Sequence, residues 1–345
     1  TDDGSTWALA KATLLGTAGL QSIDTAGDKL FLAAGHSESI AAAVTGSFAG
    51  TVTNPTKILC VDDTGDPSSP TTLATTAVVA TGNGAYGITL IGNLYSYGVS
   101  FRSGVGASLS SSIILGAVAN SQFYKNCSFQ TRSTSSTTRI QIGAGNATST
   151  LTNVVWENCD VHFGATAQMI NVDGGKLDWR GGSILSGSAA VTTLFQCTMF
   201  RGCFATVRGV NLTNAASTLA LVDTTKFGPS RFVFSKCRMP SAYTLTSGSF
   251  GSPGQRVSCY NCDSGATNYK VNIADYAGTI KDETGIYCNS TGGVQVRKSG
   301  AGVKPTGFIR KPFYSTVLPE VAKGFSDRAK ANNTKIYEEI EKAFY

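Results

Sequence analysis

Tyr124-Lys125-Asn126-Cys127-Ser128-Phe129 and Trp156-Glu157-Asn158-Cys159-Asp160-Val161 are two copies of one six-residue pattern. It runs bulky, polar, Asn or Gly, small, polar, apolar. Further copies are Trp179-Arg180-Gly181-Gly182-Ser183-Ile184, Val207-Arg208-Gly209-Val210-Asn211-Leu212 and Phe234-Ser235-Lys236-Cys237-Arg238-Met239. A weaker copy precedes them at Gly98-Val99-Ser100-Phe101, and a degenerate one follows at Cys259-Tyr260-Asn261-Cys262-Asp263. The residues after the Asn or Gly are Val99, Cys127, Cys159, Gly182, Val210, Cys237 and Cys262. Subtracting their numbers gives intervals of 28, 32, 23, 28, 27 and 25. A period in this range marks a solenoid, propeller or array.

The columns choose among these. Gly98, Asn126, Asn158, Gly181, Gly209, Lys236 and Asn261 share one column, and Gly and Asn tolerate a left-handed backbone best. The chain is therefore expected to turn there. Around that turn, inward Cys127, Cys159, Cys237 and Cys262 are followed by an outward polar residue and then an inward apolar one. In-out-in alternation is the period of a strand. Strand, one-residue left-handed turn and strand, repeated every ~25 residues, describe a coil of a parallel β-helix. The spacing predicts an all-β solenoid over residues 29–290. It places a lead-in cap at 1–28 and a C-terminal arm at 291–345.

These repeats resemble right-handed parallel β-helix proteins of the pectin-lyase-like class. The stretch from Asp28-Lys29-Leu30-Phe31 to Ser37-Glu38-Ser39-Ile40 resembles the first coil of phage-encoded virion proteins with that fold. The resemblance implies a virion protein assembled in the host cytoplasm, commonly a homotrimer. A structural head decoration or cement protein is the expected role, with a tailspike-like receptor binder or polysaccharide depolymerase as the alternative.

Bulk properties agree with stacked strands. Only 14% of residues are charged, while 41% are hydrophobic. The net charge of +6, from 28 basic and 22 acidic residues, is spread without a basic-aromatic motif. A solvated surface is expected rather than a nucleic-acid groove. No apolar run reaches transmembrane length. The nine cysteines are expected as free thiols buried along the core rather than as a disulfide framework. Cys259 and Cys262 have half a zinc motif, with no second pair to complete it. Asp62, Asp63 and Asp66 fall in a proline-punctuated loop that lacks the Gly and distal Glu of a calcium loop. No metal or cofactor is expected.

At the N-terminus, Trp7 to Leu15 reads as a short helix covering the open end of the solenoid. His36 and Glu38 form a polar turn on the first coil. In the charged column, Glu157 is expected between Lys125 and Arg180 as an outward ladder. The long interval from Gln130 to Ser149 is expected to project as a loop. Carboxylates that could serve an enzyme are Glu157, Asp160, Asp173 and Asp178, with Glu157 and Asp178 the one plausible pair. Scattered surface carboxylates form such pairs by accident, so the expectation is a protein without catalytic residues.

The C-terminal residues change character. Lys304 to Tyr314 is extended, basic and proline-punctuated, and Glu320 onward reads as helix. Ile336, Ile340 and Phe344 fall on one stripe. With Phe308, Arg310, Lys311, Phe313, Tyr314 and Phe325 they form the expected partner-docking surface. The expected partner is another virion protein, foremost the major capsid protein, with a surface glycan as a further possibility.

Overall fold

In a computed structural model, the chain is an all-β parallel solenoid with three strands to each full coil. The structure describes residues 12–263 apart from 65–69, 71, 117–119, 144–151, 198–201, 224–229 and 248–254, and the backbone strands at 268–275, 285–289 and 294–297. The first sheet stacks β1 (Lys29–Ala33), β4 (Thr56–Val61), β7 (Leu94–Tyr97), β10 (Ser121–Lys125) and β13 (Thr152–Glu157), in that order. It continues through β16 (Gly175–Arg180), β18 (Cys203–Arg208), β20 (Ser230–Ser235) and β22 (Arg256–Asp263). The second sheet holds β2 (Ser37–Ile40), β5 (Ala77–Thr81), β8 (Val99–Ser103), β11 (Ser128–Thr131) and β14 (Asp160–Phe163). Beyond β14 this face narrows to parallel bridges linking Val161 to Ile184, Ser183 to Asn211, Asn211 to Arg238 and Arg238 to Asp263.

The third sheet was not visible in the repeat pattern. It comprises β3 (Val44–Ser47), β6 (Ile88–Ile91), β9 (Ile113–Leu115), β12 (Arg139–Ile142), β15 (Met169–Val172), β17 (Thr193–Gln196), β19 (Thr218–Asp223) and β21 (Ala242–Thr246). The interval after Gln130, expected as a projecting loop, thus contains β12, paired with β9 and β15. These strands are three to six residues long and lie between Ser- and Thr-rich turns, too short to display a period.

The left-handed turn forms where the columns place it. Asn126, Asn158 and Asn261 have φ of 51°, and Gly98, Gly181 and Gly209 have φ of 73°, 67° and 64°. Lys236, neither Gly nor Asn, adopts the same state with φ of 55°. The turn residues from Gly98 to Lys236 donate their N–H to the next coil. Asn126 bonds the Glu157 carbonyl (2.9 Å), Asn158 that of Arg180 (2.7 Å), Gly181 that of Arg208 (2.8 Å) and Gly209 that of Ser235 (2.9 Å). Gly182, next to the turn, also has positive φ, and a Cβ there would overlap the Cys159 carbonyl.

Both sides of the turn fill the core. Tyr124, Trp156, Trp179, Val207 and Phe234 stack on one side, with Phe101, Phe129, Val161, Ile184, Leu212 and Met239 on the other, all essentially fully buried. Phe129 stacks on Trp156 with centroids 4.7 Å apart, and Trp156 meets Trp179 edge-on at 5.4 Å. The Trp179 indole donates to the Cys159 carbonyl at 3.0 Å.

The two ends differ from expectation. Residues 12–15 are not helical, and Trp7 lies outside the described residues. Leu14 and Leu15 are nevertheless buried at the start of the core, Leu15 beside Gly46. A single 3-10 turn follows at Leu20–Ser22. At the other end, parallel stacking stops at β22 instead of continuing to residue 290. β23 (Asn268–Asp275), β24 (Gly285–Asn289) and β25 (Val294–Arg297) add to the first sheet antiparallel to one another and to β22. The stacked hexapeptide has no copy after Asp263 to set a further parallel coil.

Replacing Lys236 by Gly removes the cost of a left-handed side-chain-bearing residue and is expected to stabilise the fold by about 1 kcal/mol. Gly182→Ala is expected to destabilise it by at least about 2 kcal/mol, because strained φ and overlap combine. Equilibrium urea denaturation of both variants measures these two shifts.

Candidate functional site

Packing comes first, because it fixes which side chains can leave the core. Asn126, Asn158, Gly181, Gly209 and Asn261 all have positive φ, and Cys127, Cys159, Cys237 and Cys262, which follow turn residues, are buried. Cys60, Cys127, Cys159, Cys237, Cys259 and Cys262 are buried free thiols among the described residues. One pair departs from the free-thiol expectation: Cys197 and Cys203 form a disulfide between the end of β17 and the start of β18. Burial pushes the Cys60 and Cys159 thiols up from their ordinary value. A hydrogen bond with Cys262, reinforced by burial, raises Cys237. At Cys262 the bond with Cys237 pulls down, but the bond with Cys259 and burial push up, and the thiol is raised to about 12.

The first coil brings His36 and Glu38 together at 3.3 Å. Glu38 is not on a surface turn, however. It is 4% exposed, and its Oε2 also accepts the Leu14 N–H at 2.6 Å. The carboxylate thereby ties the lead-in segment to the start of the core.

The charged column forms only in part. Lys125 reaches Glu157 at 2.6 Å, but Arg180 turns back along its own strand to Asp178. Its Nε and Nη2 lie 3.0 and 2.5 Å from Asp178 Oδ2. Residues two apart on a strand share a face, and the planar fork of Arg suits a carboxylate there. That hydrogen bond is the chief cause of a raised Arg180 pKa. Glu157 and Asp178, the expected carboxylate pair, are diagonal neighbours in the register, each engaged by its own cation. Asp160 lies on the second sheet and accepts the Ser183 hydroxyl at 2.8 Å. Asp173 is buried beside Asn171, whose amide approaches it at 3.4 Å. These four carboxylates do not converge on one point.

Asp62 accepts the Thr64 N–H at 3.0 Å, and Asp66 lies outside the described residues. No group of three or more metal-ligating side chains occurs among the described residues. Among them, no helix is long and apolar enough to cross a membrane. The expected docking residues Phe308, Arg310, Lys311, Phe313, Tyr314, Phe325, Ile336, Ile340 and Phe344 all lie outside the described residues.

Two outward surfaces escaped the sequence reading. On the first sheet, Tyr95 and Phe123 stack at 5.4 Å and, with Val155, Val52 and Pro55, line an apolar groove of about 400 Å³. On the second, Ser100, Arg102, Ser128, Gln130, Asn158 and Asp160 help line a polar groove of about 590 Å³. Ser100 and Ser128 share a hydrogen bond of 2.6 Å, and the Gln130 amide donates to both hydroxyls at 3.0 and 2.9 Å. Arg102 Nε donates to the Ser100 hydroxyl at 3.1 Å, and Arg132 Nε to the Gln130 side-chain Oε1 at 3.1 Å. The signal lay one step beyond the hexapeptide, in the outward column Arg102, Gln130, His162.

The raised thiols have a measurable consequence. A raised thiol keeps its proton longer folded than unfolded, so its contribution is intact below the ordinary value of 9.0. It is lost as pH rises further toward the folded value. Thermal stability is expected to hold through neutral pH and to fall above pH 9.0. At about pH 8 the six buried thiols are expected to resist a chromogenic disulfide reagent until the protein unfolds.

No protein-family model, curated protein or solved structure matches the chain, so the parallel β-helix described above is carried by its own strand pairing.

Proposed function

We propose that this chain is a structural protein of a bacteriophage virion, a head decoration or cement protein. In this proposal a right-handed, pectin-lyase-like β-helix body stands on the capsid shell, and the C-terminal residues dock on the major capsid protein. The observation that supports it best is the continuous packed core of the body. An unbroken interior column, with Phe101, Phe129, Trp156 and Trp179 in mutual ring contact, runs through successive coils. The outward carboxylates Glu157, Asp160 and Asp178 each hold a local partner. Such a body presents extended faces to neighbours. The apolar groove at Tyr95, Phe123 and Val155 suits lateral contact between copies in a homotrimer.

A tailspike-like receptor binder, with or without glycan cleavage, is a second reading, favoured by the polar groove beside Asp160. Mass spectrometry of separated heads and tails from the parent virion distinguishes the two. Many copies in the head fraction are expected, and a few copies confined to tails would overturn the decoration role. Deleting residues 306–345 is expected to abolish incorporation into the particle, and unchanged incorporation would contradict docking through the arm.

A further inference from the structure

Arg102 lines the polar groove, and a second cation, Arg132, lies beside it on the same sheet. Arg102 lies in β8 directly opposite Gln130 of β11, and Arg132 follows two residues after Gln130 on the same outward face. The Arg132 N–H bonds the Ser103 carbonyl at 2.9 Å, which fixes it diagonally across from Arg102. No ion pair engages either guanidinium among the described residues. Both sit close enough that burial, and then the charge of Arg132, lower the Arg102 pKa. Like charges held together and partly desolvated favour an anion between them.

The site is also oriented in advance. Gln130 is 5% exposed, and its amide is fixed by Ser100 and Ser128. Each Arg spends its Nε on this shelf, Arg102 on Ser100 and Arg132 on Gln130. Among the described residues no hydrogen bond engages the outer Nη atoms of either fork, and such a fork suits bidentate carboxylate binding. Asp160, which also lines the groove, lies a coil further on and is engaged by Ser183. His162, opposite Gln130, has its pKa lowered by burial and then by Arg132.

We propose that the Arg102–Gln130–Arg132 shelf is a docking site for an acidic peptide segment of a partner protein, gripping its side-chain carboxylates. This goes beyond the virion proposal and does not depend on it. The lining favours a peptide over an acidic glycan, since no aromatic ring lines this groove to stack against a sugar. The grip is through side chains, because β8 and β11 are already paired on both sides and have no open edge for strand addition.

Fluorescence anisotropy with labelled hexaglutamate, at low salt and on the whole chain, tests this. Binding is expected to weaken at least about tenfold in Arg102→Gln and in Arg132→Gln, each losing a charge-assisted fork. Lys125→Gln, which removes a cation from the first sheet, should leave it unchanged. Arg132 is exposed, so Arg132→Gln is expected to keep the melting temperature of the parent and remains informative if Arg102→Gln does not fold. No binding of hexaglutamate would overturn the proposal, as would equal weakening by Lys125→Gln. Tighter binding of an oligouronate of equal charge would overturn the choice of a peptide.

Discussion

The hydrogen bond from the turn residues Gly98 to Lys236 to the carbonyl of the next coil is the constraint on which this structure rests. It is made where the backbone enters the left-handed region between the first and second sheets, so its direction is set by the turn itself. Asn126, Asn158, Gly181 and Gly209 repeat it at 2.7–2.9 Å, and Lys236 at 3.1 Å. Because the coils from Gly98 to Asn261 make the same turn, the strands on either side meet their neighbours in register. A slip by one residue would send every core side chain outward. The aromatic column and the buried thiols therefore depend on a backbone turn that has little side-chain chemistry of its own.

The same register builds surfaces from residues far apart in sequence. Arg102, Gln130 and His162 are neighbours because they occupy one position in successive coils. Tyr95, Phe123 and Val155 are neighbours for the same reason. Adjacent faces of one solenoid thus differ in chemistry, apolar on the first sheet and polar on the second. A body of this kind can meet two kinds of neighbour without rearranging its core.

The turn was legible because Gly and Asn mark it directly, and the alternation beside it gave the inward and outward columns. Lys236 was assigned to the turn by column alone, and the structure agrees. The third sheet was not legible, since a strand such as Ile113–Leu115 is too short to show alternation. The Cys197–Cys203 bond lies outside the turn column and had no pattern to announce it. Column reasoning also treats side chains as fixed spokes. Glu157 met Lys125 as such a spoke would, whereas the longer Arg180 chose the nearer carboxylate on its own strand. The polar groove was missed because the pattern was read only to the first apolar residue after the turn, and Arg102 and Gln130 come next. The expected docking residues of the C-terminal arm lie outside the described residues.

The central claim is in-register stacking of coils from the left-handed turn. Spin labels at Ser183 and Arg238, each bridged to Asn211 from opposite sides, test it most directly. With two coil spacings between their backbones, the labels should report a narrow distance distribution centred at roughly 10 Å by electron paramagnetic resonance. A broad distribution, or one centred beyond about 20 Å, would contradict parallel stacking at the strand spacing.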